Sequence, residues 1–106
     1  MHDLLCLKNS VAIVTGASGG IGCTVASVLI EHGAFCLLHD VSPLISTLEK
    51  SVTESRAKFL QGDLCDDQTI DEIFDSARAI HRPVTILINC AGLYRAYPVV
   101  SQARYQ

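Results

Sequence analysis

Gly16, Gly19, Gly20 and Gly22 fall within seven positions, directly after the apolar run VAIVT at residues 11–15. Placing so much backbone freedom after a stiff run suits the chemistry of phosphate binding. Where a chain turns sharply from a strand into a helix, the helix's free amide N–H groups and positive dipole end face outward. An anion reaches them only if no side chain intervenes. Gly16 then permits the tight turn, Gly20 lets backbone approach a phosphate, Gly22 lets the helix pack against the sheet, and Gly19 adds room. Glycine-rich turns are common, so position decides: here the turn falls between a strand and a helix. Asp40 is the second candidate, 18 residues beyond Gly22 and at the end of a second apolar run. A carboxylate there accepts hydrogen bonds from ribose hydroxyls and repels a 2′-phosphate. The alternative is that Asp40 only helps to start the next helix. No arginine flanks it: Val41 follows, and Gly19 precedes the motif's second glycine. The expected ligand is therefore a dinucleotide, NAD in preference to NADP.

The elements that must position these residues follow one rhythm. Residues 10–15 (SVAIVT) read as a short, wholly buried strand. A helical period follows, with Ile21, Val25, Val28 and Leu29 on one face and Gly33 at the C-cap position. Residues 34–40 (AFCLLHD) form a second strand. Ser42 and Pro43 read as N-cap and first residue of a second helix, striped by Leu44, Ile45, Leu48 and Val52. Residues 57–63 form a third strand. Asp66 or Asp67 caps a third helix, whose buried face is Ile70, Ile73, Phe74, Ala77 and Ile80. Residues 84–89 (VTILIN) form a fourth strand. Strict alternation implies a parallel sheet with helices on both faces: an α/β Rossmann-type, doubly wound, three-layer fold with strand order 3-2-1-4.

Composition agrees and narrows the class. The chain has 106 residues, 49% hydrophobic, with mean hydropathy +0.33 and net charge −3. That length is one domain or part of one. The eight basic residues are scattered, so nucleic acid is not an expected partner. No apolar run approaches the ~18 residues of a membrane span, and LLCL near the N-terminus is too short for a signal-peptide core. A cytoplasmic location is expected. Cys6, Cys23, Cys36, Cys65 and Cys90 form no Cys-x-x-Cys pair. They read as free thiols packing as small apolar groups. His2, His32, His39 and His81 lack metal-ligand spacing and read as solvated or satisfied, so no metal site is expected.

Three motifs in register resemble the short-chain dehydrogenase/reductase family. TGASGGIG (residues 15–22) resembles its Thr-Gly-x-x-x-Gly-x-Gly cofactor motif. GDL (62–64) resembles its adenine-contacting segment, and INCAG (88–92) its Asn-Asn-Ala-Gly motif. The resemblance extends from Leu7 to Gln106. It implies that Gly16, Ser18, Gly19, Gly20, Ile21 and Gly22 hold the pyrophosphate side of the cofactor. It further implies that Asp63 binds the adenine amino group, that Leu64 offers its backbone, and that Asn89, Ala91 and Gly92 line the adenosine ribose. Cys90 departs from the pattern, because a thiol cannot replace an amide's donors and acceptor.

The family's catalytic Ser and Tyr-x-x-x-Lys are absent. Four residues beyond Tyr94 stands Pro98, and beyond Tyr97 stands Ser101; Lys8, Lys50 and Lys58 all lie upstream. No residue is assigned a catalytic role, and Ser101 reads as a helix N-cap. The expectation is a single partial cofactor-binding domain over residues 1–106, cut near the start of a fourth helix. Such a chain is catalytically incompetent alone. A full-length form would act on an alcohol/ketone pair and be a homo-oligomer. The alternatives are a non-catalytic nucleotide-binding or interaction module and, more weakly, a methyltransferase.

Overall fold

A computed structural model describes residues 6–91. The order is β1 (Val11–Thr15), α1 (Gly20–Glu31), β2 (Phe35–Asp40), α2 (Ser46–Thr53), β3 (Ala57–Gln61), α3 (Asp67–Ala79) and β4 (Val84–Asn89). The four strands make one parallel sheet in the order β3-β2-β1-β4. All five residues of β1 are buried, as a central strand with both faces covered requires.

Two apolar clusters lie on opposite faces of the sheet. Ala12, Val14, Cys36 and Leu38 pack with Ala26 and Ile30 of α1 and Leu48 of α2. Ile13 and Leu37 pack with Ile73 of α3. These are the three layers that strict alternation implies. A register shift places Val11 beside Val84 but Ala12 beside Ile86, so Thr85 is skipped. That bulge turns Ile86 and Ile88 toward the α1/α2 cluster. Leu87, beside Ile13, is left 67% exposed.

Three local expectations need correction. The buried face of α1 is Gly22, Cys23, Ala26 and Ile30; of the expected stripe only Leu29 packs, half-buried, against the core, while Ile21 is 76% exposed and Val28 is exposed too. The helix is apolar nearly all round, and its smallest residues, not its largest, let it lie close to the sheet. The second helix begins at Ser46, not at Ser42 and Pro43. The Ser42 amide donates to Asp40 Oδ1 (2.9 Å), and the Pro43 carbonyl accepts from Ser18 Oγ (2.7 Å). Those bonds tie residues 42–43 to the glycine loop in place of a first helical turn. In α3, Phe74 is exposed, while Thr69, Ile73 and Ser76 are buried. The cap itself is Asp66, whose carboxylate accepts from Gln68 N at 3.0 Å. Among the described residues no helix is long and apolar enough to cross a membrane.

Candidate functional site

The loop between β1 and α1 is built on two crowded glycines and one open one. Gly16 adopts φ +71°, and a Cβ there would stand 2.6 Å from Ala91 N and 2.7 Å from the Cys90 carbonyl carbon. The turn after β1 and the turn after β4 thus touch through bare backbone. A Cβ on Gly22 would collide with the Gly16 carbonyl. Gly22 therefore lets α1 close on its own loop; the contact is not with the sheet. At Gly20 a Cβ would meet nothing within 4 Å. The N-terminus of α1 has no side-chain cap and no acidic residue in its first turn, unlike α3. Its first amides are thus available to an anion.

Asp40 ends β2 and is 9% exposed. Its Oδ2 accepts from Ser18 N at 2.8 Å, and its Oδ1 accepts from Ser42 N at 2.9 Å. One carboxylate therefore clamps the glycine loop to the segment after β2. Each oxygen keeps a second acceptor site. Thr15 does the equivalent work on the other side. Its hydroxyl donates to Asn89 Oδ1 (2.7 Å) and accepts from Ala91 N (3.3 Å), while its carbonyl accepts from Cys90 N (3.0 Å). After β3, Asp63 Oδ1 accepts from Cys65 N at 2.9 Å, which shapes the turn that follows Gly62.

These turns surround a cleft of about 510 Å³ at the carboxyl ends of the strands. Among the expected site residues, Gly16, Gly19, Asp40, Asp63, Leu64, Asn89 and Ala91 line it. Ser18, Gly20, Ile21 and Gly22 lie beside it, in the loop and first turn of α1. Gly92 lies outside the described residues, as do Tyr94, Tyr97, Ser101 and Tyr105. In an open α/β sheet, ligands bind in a crevice of this kind. A second cleft, about 350 Å³, lies at the other end of the strands between Lys8, Glu31, Arg56 and Arg82. No expected site residue falls there.

Among the lining residues outside the expected set, Val41 and His39 flank Asp40. Val41 follows Asp40 and is exposed at the rim. His39 is 3% exposed, so it is neither solvated nor fully satisfied. Its Nε2 lies 2.7 Å from the Gly62 carbonyl, and its Nδ1 is buried with no hydrogen-bond partner. The cue was available: a histidine next to the acidic end of an otherwise apolar strand. The cysteines divide. Cys23 and Cys36 are buried as expected of small apolar groups, whereas Cys6 and Cys65 are exposed. Burial pushes the Cys36 thiol up to about 11 from its ordinary 9.0, which keeps it protonated and unreactive at neutral pH.

A glycine-rich turn at the head of α1, an acid ending β2 and a cleft across four parallel strands define a dinucleotide-binding α/β fold. The family model for short chain dehydrogenases matches residues 10–105, and the chain belongs to that family. It is 30% identical over 87 residues to an NAD-dependent glycerol dehydrogenase of Listeria innocua, covering 82% of this chain and 34% of that protein. It is 34% identical over 98 residues to dehydrogenase/reductase SDR family member 11 of Gallus gallus, covering 86% and 38%. Among solved structures, 4-hydroxyisoleucine dehydrogenase complexed with NADH superposes with a TM-score of 0.71 at 26% identity, covering 87% of this chain and 37% of that one. The chain thus spans less than half the length of the relatives it matches.

Proposed function

We propose that this chain is the cofactor-holding part of an NAD-dependent oxidoreductase that interconverts an alcohol and a ketone. The observation that carries the reading is the joint made by Asp40: a single buried carboxylate that fixes the glycine loop and also borders the cleft. The pyrophosphate would lie against the loop and the first turn of α1, over Gly16, Ser18, Gly19, Gly20, Ile21 and Gly22. The remaining acceptor sites of Asp40 would take the adenosine ribose hydroxyls. Its negative charge, with Val41 beside it, would disfavour the 2′-phosphate of NADP. Asp63 would take the adenine amino group through Oδ2, with Leu64 offering its backbone. Asn89, Ala91 and Gly92 would border the ribose, with Thr15 holding the first two in place.

Bound nicotinamide would supply the hydride chemistry. The work of this chain's own residues is to bind and orient. Proton transfer to a substrate oxygen at neutral pH needs a tuned phenol or comparable acid, since a free tyrosine titrates near 10. The 106 residues contain no Tyr-x-x-x-Lys to provide one. Calorimetric titration with NADH, NADPH and S-adenosylmethionine tests the cofactor assignment. NADH should bind at one site per chain and more tightly than NADPH. Equal affinity for NADPH would overturn the assigned role of Asp40, and binding of S-adenosylmethionine in place of NADH would overturn the oxidoreductase reading.

A further inference from the structure

The two clefts at opposite ends of the strands differ in charge. The cleft at the carboxyl ends is lined by Asp40 and Asp63 and by no lysine or arginine. The cleft of about 350 Å³ at the amino ends gathers Lys8, Arg56 and Arg82 against one carboxylate, Glu31. Those cations are far apart in the sequence, and the fold brings them together in a chain whose net charge is −3. The backbone fixes where they start. Leu7 N donates to the His32 carbonyl (2.8 Å), tying the segment that carries Lys8 to the end of α1, and Arg56 N donates to the Ser51 carbonyl (2.8 Å). Gly33 leaves room for Lys8, since a Cβ there would stand 3.2 Å from the Lys8 Cα. One guanidinium nitrogen of Arg82 lies 3.5 Å from the Lys8 carbonyl.

Basic residues beside helix C-termini commonly cap the last carbonyls. Here backbone amides already do so. The Val28, Leu29 and Ile30 carbonyls of α1 accept from His32, Ala34 and Gly33 N, and the Lys50 and Val52 carbonyls of α2 accept from Glu54 and Ser55 N. Among the described residues no carboxylate pairs with Lys8, Arg56 or Arg82. Their charge still outweighs Glu31 and the ends of α1 and α2, which carry about half a negative charge each. The floor of the cleft is apolar: Ile30 and Ala34 are buried and Phe35 is half-buried.

We propose that this cleft is a second binding site, for a small organic phosphate monoester. The apolar body would lie on Ile30, Ala34 and Phe35. The phosphate, with a charge of about −1.5 to −2 at neutral pH, would be held by the planar donors of Arg56 and Arg82, with Lys8 adding a third positive charge. The site is separate from the dinucleotide cleft and stands whether or not that cleft holds NAD.

¹H–¹⁵N correlation spectra of the labelled protein, titrated with phenyl phosphate, benzoate and phenol, read the site residue by residue. Phenyl phosphate should give saturable shifts at Gly33–Phe35, Arg56 and Arg82 that weaken as salt is raised. Benzoate, with a single charge, should bind more weakly, and phenol should give no saturable shift there. Arg56→Gln and Arg82→Gln each remove one exposed cation and should weaken binding about threefold apiece, and about tenfold together. Unmoved amides elsewhere in the spectrum would show that the variants keep the fold. No saturable shift at this cleft, shifts confined to the glycine loop at Gly16–Gly22, benzoate binding as tightly as phenyl phosphate, or undiminished binding in the double variant would overturn the proposal.

Discussion

Gly16 and Gly20 stand four residues apart in one loop under opposite constraints, so alanine at each separates a folding role from a binding role. At Gly20 a Cβ would meet no atom within 4 Å, and its φ lies outside the left-handed region. Gly20→Ala should therefore keep the fold. Reduced freedom of the unfolded chain should add up to about 0.5–1 kcal/mol of stability. The same methyl group would fill the space through which a phosphate approaches the first turn of α1. NADH affinity should drop at least about tenfold, equivalent to about 1.4 kcal/mol. At Gly16 the expectation is reversed. A left-handed alanine costs about 1–2 kcal/mol, and overpacking against Cys90 and Ala91 costs about 1–3 kcal/mol more. Gly16→Ala should thus lose roughly 2–5 kcal/mol. Urea unfolding followed by circular dichroism reads stability, and calorimetry with NADH reads binding. Gly20→Ala with undiminished affinity, or with a stability loss matching that of Gly16→Ala, would refute the assignment of Gly20 to the phosphate.

Other perturbations reach the remaining parts of the site. Asp40→Ala leaves the Ser18 and Ser42 amides without their acceptor; stability should fall by roughly 1–3 kcal/mol, and the NADH/NADPH preference should collapse in paired titrations. Thr15→Val keeps the volume but strips Asn89 Oδ1 and Ala91 N of their partner. It should cost about 1–3 kcal/mol in urea and raise hydrogen exchange at Ala91. Cys36 makes stability fall in alkali. Its thiol holds its proton to about pH 11 in the fold but only to 9.0 when unfolded. The unfolded state therefore binds fewer protons between those values, and unfolding free energy should decline there by roughly 2 kcal/mol. The decline should vanish in Cys36→Ala, and a wild-type decline that persists in that variant would point to another group.

Strand order and element types were legible because β1 and β2 are unbroken apolar runs that only a doubly covered parallel sheet accommodates. The glycine loop was legible for a different reason: backbone that must touch backbone, as at Gly16 and Gly22, leaves no side chain to substitute. Helix faces were not legible where apolar residues surround the axis. In α1 the large residues Ile21 and Val28 stand exposed, yet Cys23, Ala26 and Ile30 are the ones packed into the sheet's core. The start of α2 was hidden because Ser42 and Pro43 carry good capping chemistry. Asp40 and Ser18 draw both residues into the glycine loop, and no local pattern contains that long-range competition. His39 was hidden for the same reason, since its partner Gly62 lies 23 residues away.

The most direct test of the dinucleotide site is a ¹H–¹⁵N correlation spectrum of the labelled protein with increasing NADH. Amide shifts should concentrate at Gly16–Gly22, Val41, Asp63–Leu64 and Asn89–Ala91, around the cleft at the carboxyl ends of the strands. No shifts, or shifts confined to the opposite cleft at Lys8, Arg56 and Arg82, would contradict it.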